Sequence, residues 1–343
     1  MCNINTDIIL KRIDNAKDCA ITVFGDFCLD KYLYIDSVRD EVSVETGLPA
    51  YQVERIAMFP GVGGTITQNL RSLGAMVQCV GLIGNDGEGF DFINSLSRIG
   101  ADTEFMVQSD DVMTCTYMKT MRKTEGESFK EMPRFDIRNF RETPAVLEEK
   151  LIINLEKTLK DTQAVVIADQ FLQNNYAAVT DRIRKKLSEL ALKYDDKIFY
   201  VDSRGFADHY QNMIVKCNQF EFPNNGDDGC SIEKGGMSLL ASSGRAAIIT
   251  AAEDGAYVFK DDNITHIPAF PVTPPIDITG AGDAANAGII LGLALGLDLI
   301  EAVLLGICCS SITIEQVGVT GVATPEQVKQ RLISTMKNER NDL

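Results

Sequence analysis

Residues 280–283 read Gly-Ala-Gly-Asp and run into an apolar stretch from Ala284 onward. Small residues let successive backbone N–H groups turn toward one point. The apolar stretch predicts a helix whose N-terminus they form, so Gly280, Ala281 and Gly282 together suit an anion. At that first turn the Asp283 carboxylate would stand beside a bound phosphate, where it could take a proton from an attacking hydroxyl. On these four residues alone the alternative stays open: a Gly-rich turn with an Asp capping a buried helix.

Such a turn needs a scaffold. Cys19 to Gly25 is a short β-branched run ended by Gly, the pattern of a buried strand feeding a loop, and it returns at MVQCVGLIG, QAVVIAD, KIFYVD, MIVKCN and AAIIT. Helix-like stretches at Glu88 to Gly100, Ala145 to Leu159 and Tyr176 to Tyr194 lie between them, and the chain after Gly282 reads as mainly helical. The alternation predicts an α/β fold with a doubly wound, mostly parallel sheet and helices on both faces. Two segments break the rhythm, about 31–59 and 102–135, and are read as antiparallel strands forming a small inserted lid within one domain spanning 1–343. Lids matter where water must be kept from a reactive phosphate.

Composition narrows the chemistry. Forty-nine acidic against 33 basic side chains give a formal charge of −16, which disfavours nucleic acid as a partner but not a small anion held by local N–H groups. Nine cysteines, never spaced C-x-x-C, argue against a zinc site or disulfide framework and fit a reducing, cytoplasmic setting. The N-terminus lacks a signal-peptide pattern, and the longest apolar run, Ala287 to Leu297, is too short for a membrane span. There is no G-x-x-x-x-G-K-[ST] and no G-x-G-x-x-G after the first strand, which disfavours Walker-type NTPases and dinucleotide dehydrogenases. With two histidines in all, histidine-based catalysis is disfavoured too.

The wider string DITGAGDAANAG resembles the C-terminal signature of the PfkB-type carbohydrate kinases, D-T-x-G-A-G-D-x-F-x-x-G, with Asp277, Thr279, Gly280, Ala281, Gly282, Asp283 and Gly288 matching and Ala285 in the usual Phe position. The resemblance implies a ribokinase-like fold, Asp283 as general base, and the glycine loop as cradle for the γ-phosphoryl group of ATP. GDFCLDKY resembles the N-terminal motif of the heptose-phosphate kinase group within that family, which makes Asp30 a holder of sugar hydroxyls; a turn Asp after a strand is the alternative. FPGVGGTITQNLRSLGA is similar to the first family signature: Gly61, Asn69, Leu73 and Gly74 agree, Val62 replaces the second Gly, and Thr65 replaces the Asn that normally touches substrate.

Further motifs extend the likeness. Arg134-Phe135-Asp136 resembles an R-x-D after the lid strands, whose Arg either meets a sugar phosphate or pairs with Asp136. Lys216-Cys217-Asn218-Gln219-Phe220-Glu221 resembles K-P-N-x-x-E, implying that Asn218 and Glu221 order the water shell of Mg²⁺ on the nucleotide. Thr250 and Gly255 in IITAAEDG match a turn that holds nucleotide phosphate and ribose. Asp277 and Thr279 match a loop that binds a monovalent cation such as K⁺ in many relatives, completed by carbonyls near 312–320. Asp169 and Asp202 match strand-end acids that either face the phosphates or are polar strand ends. The implied activity is transfer of the ATP γ-phosphate to a hydroxyl of a sugar or sugar phosphate; the alternatives are a nucleoside kinase and a non-catalytic sugar- or nucleotide-binding regulator. A homodimer through the lid is expected from the family and from exposed strand edges.

Overall fold

Buried β-branched runs pair side by side because both of their faces are apolar. The computed structural model describes residues 6–123, 129–222 and 231–341. Its strands in chain order are β1 (Ala20–Gly25), β2 (Phe27–Ile35), β3 (Glu41–Val42), β4 (Pro49–Ala50), β5 (Val53–Val62), β6 (Met76–Gly84), β7 (Val107–Ser109), β8 (Thr116–Lys123), β9 (Phe129–Glu131), β10 (Phe135–Ile137), β11 (Ala164–Asp169), β12 (Ile198–Ser203), β13 (Ile214–Asn218), β14 (Ala246–Thr250), β15 (Ala256–Lys260) and β16 (Asn263–Ile267). The helices are α1 (Thr6–Arg12), α2 (Gly63–Ser72), α3 (Gly87–Arg98), α4 (Ala145–Thr158), α5 (Asp181–Lys193), α6 (Ile232–Ser243), α7 (Ala281–Ala294), α8 (Leu299–Thr313) and α9 (Pro325–Asn341).

The main sheet runs β16-β15-β14-β13-β12-β11-β1-β6-β7. It is parallel from β7 to β14, and β15 and β16 close one edge antiparallel. Along β11, Ala164, Val166 and Ala168 enter one core with residues of α1, α2, α3, α7, α8 and α9, while Val165 and Ile167 enter a second core with α4, α5 and α6. Every residue of β11 is therefore buried, as a doubly covered parallel strand requires. The chain leaves β1 toward β6 and later returns on its other side as β11. That reversal opens a crevice at the carboxyl ends of β1 and β11, where ligands bind in open α/β sheets.

The expected doubly wound sheet with helices on both faces is thus the observed one, with local corrections. A second sheet, ordered β10-β8-β2-β5 with β9 on β8, crosses the crevice. The expectation of purely antiparallel lid strands fails at its centre. β2 pairs antiparallel with β5 but parallel with β8, because the chain passes through the main sheet between them. Residues 107–109, read as lid, instead add β7 to the main-sheet edge, and Asp102 bridges Gln78 there. The helix read from Tyr176 begins only at Asp181, where the Thr180 hydroxyl caps it by accepting from the Ile183 N–H. Among the described residues no helix is long and apolar enough to cross a membrane.

Candidate functional site

Asp283 occupies the first turn of α7, whose N-cap is Gly280 at φ 77°. That left-handed conformation favours glycine and turns the chain into the helix. The Ala281 N–H donates back to the Ile278 carbonyl (3.1 Å), so the first-turn amides that head the helix toward the cleft are those of Gly282 and Asp283. Asp283 keeps partial exposure to a cleft of about 280 Å³, whose lining also includes Asp30, Thr65, Lys119, Arg134, Arg204, Thr279 and Gly280. Burial first, and then the Asp202 carboxylate, push Asp283 up to about 7; Lys216 and Arg204 pull it down and Asp30 adds to the rise. A carboxylate near that value matches a base working at neutral pH.

A buried polar chain lies beneath this turn. Tyr200 OH donates to Asn286 Oδ1 (2.7 Å), Asn286 Nδ2 donates to Asp202 Oδ2 (2.6 Å), and Lys216 Nζ sits 3.0 Å from Asp202 Oδ1. A Cβ on Gly282 would lie 3.7 Å from Lys216 Nζ, so the ammonium stands under the helix N-terminus. Burial, the largest single influence, would lower the Lys216 pKa; the Asp202 and Glu221 carboxylates together outweigh it and hold the ammonium above its usual value. Asp202 therefore contacts Lys216 and α7. Asp169 contacts neither: it accepts from Arg184, Ser203 and Tyr210 as a buried structural hub.

The opposite wall is the lid. Asp30 pairs with Lys119 Nζ (3.2 Å), which also donates to Tyr32 OH (2.9 Å). Gly61 backs this carboxylate so closely that a Cβ there would come within 2.7 Å of Asp30 Oδ2 and 2.6 Å of Cys28 Sγ. Thr65 lines the cleft, but its hydroxyl donates to the Pro60 carbonyl (2.9 Å) and its methyl faces Gly280; its lone pairs remain for an acceptor role. Arg134 forms a two-pronged pair with Asp136 (2.6 and 2.9 Å), the second of its two alternatives, and its side chain also lines the cleft. Val62, between Gly61 and α2, has φ 56° and ψ −116°, a conformation that a β-branched residue enters only under strain.

Other candidates fall outside that cleft. Asn218 and Thr250 are register partners at the carboxyl ends of β13 and β14. Glu221 Oε2 accepts from the Asn218 N–H (3.1 Å) and Oε1 faces Arg204 Nε (3.3 Å). Gly255, at φ 88°, is a packing necessity, since a Cβ there would lie 2.1 Å from the Ile267 carbonyl oxygen. Asp277 Oδ1 accepts from Thr279 N–H and Oδ2 from Gly318 N–H, and the Asp277 N–H donates to the Ile314 carbonyl, which ties it to the 312–320 loop. Among the described residues no three or more Asp, Glu, His or Cys side chains are grouped to hold a metal.

Sequence reasoning did not single out Tyr117, Arg138, Gln170 and Phe171 as site residues, yet all line the cleft. Gln170 and Phe171 follow β11 directly, and a strand's carboxyl end was the available signal. Arg138 carried none, because its approach depends on how β10 returns across β8.

A model of the family described as pfkB family carbohydrate kinase matches residues 23–327. The chain is 28% identical over 331 residues to the bifunctional protein HldE of Hyphomonas neptunium, covering 93% of this chain and 65% of that one. It is 25% identical over 325 residues to the protein of that name from Pseudomonas aeruginosa, covering 92% and 64%. It thus spans just under two thirds of these relatives' length. Among solved structures, phosphofructokinase-2 of Escherichia coli with potassium superposes at TM-score 0.70 (16% identity, 92% of this chain and 98% of that one). Ribokinase of Thermotoga maritima superposes at 0.63 (18% identity, 92% and 99%), and these likenesses establish the shared fold.

Proposed function

Since the chain belongs to the pfkB carbohydrate kinase family, we propose that it transfers the γ-phosphoryl group of ATP to a hydroxyl of a sugar phosphate, with Asp283 as general base. The observation that carries this reading is the placement of Asp283 on the first turn of α7 and Asp30 on the lid in one cleft. That cleft is lined by four cations, Lys119, Arg134, Arg138 and Arg204, against these two carboxylates, in a protein of net charge −16. Arg134 and Arg138 share the single Asp136 carboxylate behind them, and the cationic charge that this leaves at the cleft suits a phosphorylated acceptor better than a nucleoside.

In this reading Asp30 orients the acceptor hydroxyls and Asp283 takes the proton of the attacking one. The first-turn amides of α7 and the Lys216 ammonium offset the charge on the moving phosphoryl group. Asn218 and Glu221 would hold Mg²⁺ through its waters. Their few oxygens fit a metal bound mainly by phosphates, which when present neutralises phosphate charge. Thr250 would meet the nucleotide, and the Asp277–Thr279 turn would seat a monovalent cation with loop carbonyls. The exposed apolar side chains Val42, Val44 and Leu48 of the β3–β4 hairpin and Ile56 of β5, an edge strand of its sheet, support a homodimer through the lid.

The test is ATP turnover against sugar phosphates, free sugars and nucleosides, with Asp283→Asn as control. Turnover of a sugar phosphate that falls by about 10²–10⁴ in the variant, with nucleotide binding retained, supports the reading. Turnover of nucleosides alone, or of no member, sinks it.

A further inference from the structure

Beside the main cleft lies a small cavity of about 30 Å³, room for one or two water-sized groups. Its walls come from the start of β2, from Met113 and Cys115 before β8, from Arg138 and Asn139 after β10, and from the loop at 171–178. It shares Arg138 and Phe171 with the main cleft, so the two are contiguous. Two buried polar atoms of its lining residues have no hydrogen-bond partner, Asp26 Oδ1 and Arg138 Nε. Asp26 is 1% exposed; its other oxygen accepts from the N–H groups of Gln170 (2.9 Å) and Phe171 (3.2 Å). The Arg138 tip donates through Nη2 to Asp136 (3.0 Å), which leaves Nε without a partner. Buried orphan groups are rare in folded proteins, and two in the lining of one cavity call for a polar partner there, a water or a ligand hydroxyl that displaces it.

Charge decides which group. The Arg138 guanidinium already has its counterion in Asp136, and a phosphate in the cavity would meet the Asp26 carboxyl. A hydroxyl needs no countercharge, and one such oxygen can both accept from a guanidinium N–H and donate to a carboxylate. Burial first, and next Asp169, push Asp26 up to about 7 against the two backbone N–H groups and Arg184. Near neutral pH the group thus exists partly as the acid, which a hydroxyl can also satisfy as acceptor. Phe27, Leu82 and Met113 supply apolar wall for the carbon that carries it.

We propose that this cavity is an annex of the acceptor site that takes an uncharged, hydroxyl-bearing carbon arm of the substrate, recognised by Asp26 and Arg138. The inference rests on the reading of the acceptor as a sugar phosphate. It adds that the acceptor carries a neutral CHOH or CH₂OH arm remote from its phosphate, and that the annex selects for it.

The experiment is calorimetric titration of the full chain, with a non-hydrolysable ATP analogue present, using aldose phosphates of five, six and seven carbons and deoxy counterparts of each lacking one exocyclic hydroxyl. Wild type should prefer one hydroxylated member over its deoxy counterpart by about tenfold or more, the effect of a hydrogen bond to a charged partner. Ala177→Val, which fills the cavity without touching Asp283 or Asp30, should abolish that preference by bringing the hydroxylated member's affinity down to that of its deoxy counterpart. Arg138→Lys keeps the charge beside Asp136 but removes Nε–H, and should reduce the preference without affecting folding. A preference that survives Ala177→Val, or wild-type binding with no preference in any pair, overturns the annex alone. Absence of binding by every member overturns both the annex and the sugar-phosphate reading.

Discussion

On the α7 side of the cleft the polar groups that approach Asp283 are anchored in series, Tyr200 to Asn286 to Asp202 to Lys216, all of them buried. On the lid side the anchoring is looser. Asp30 shares Lys119 with Tyr32, Arg134 and Arg138 share Asp136, Val62 sits at φ 56°, and Asp26 and Arg138 each keep an orphan atom. The first wall resembles a fixed electrostatic frame, whose value in phosphoryl transfer lies in needing no rearrangement. The second has exchangeable partners that a ligand can take over. On the proposed function, phosphoryl chemistry and acceptor choice would fall to opposite walls, and each wall can be perturbed alone.

Breaking the fixed wall should have the largest effect. Lys216→Met leaves the Asp202 carboxylate buried without its ion-pair partner and should cost about 3–5 kcal/mol of stability in urea unfolding; adding Asp202→Leu should recover part of it. A Lys216→Met loss below 1 kcal/mol would show that the wall is not held as described. Next in size, Gly61→Ala drives a methyl group into Asp30 and Cys28, and should raise the acceptor KM by about tenfold while the KM for ATP stays put. Equal shifts in both constants would dissolve the division between the walls.

A pH profile sharpens the same division. Asp283 must be deprotonated to act as base, so kcat/KM should rise with pH and level off above about 7, the value its environment sets. Asp202→Asn removes a carboxylate that raises this value and frees Lys216 to lower it further, so the acidic limb should move to lower pH. Movement to higher pH would contradict the assignment. The smallest effect is expected at Val62: Val62→Gly relieves a left-handed φ and should raise thermal stability by about 1 kcal/mol, with turnover of ATP little changed.

How far the sequence carried differs between the walls for a physical reason. A buried parallel strand must be apolar on both faces, so β1, β6, β11, β12, β13 and β14 were readable as runs, and Asp283 was readable from the glycines that α7 needs at its start. The lid was readable as β-rich but not as a pairing pattern. A parallel β2–β8 contact joins residues some 87 positions apart, such as Tyr32 and Lys119, and short alternating segments carry no mark of their partner. Thr65 shows the same limit, since its place in the motif pointed to substrate while only the fold shows that its hydroxyl proton is committed to the Pro60 carbonyl.

The sequence by itself determined the glycine turn that opens α7, the strands that end beneath it and, through matched motifs, the family. Those features depend on local backbone freedom and on burial periodicity, which are written in neighbouring residues. Only the tertiary structure decided that Lys216 stands under Gly282, that Arg138 and Asp26 meet one cavity, and that Arg134 is shared between Asp136 and the cleft. Each of those depends on where separate strands end in space, and a buried charge or an orphan atom becomes one only when the chain closes around it.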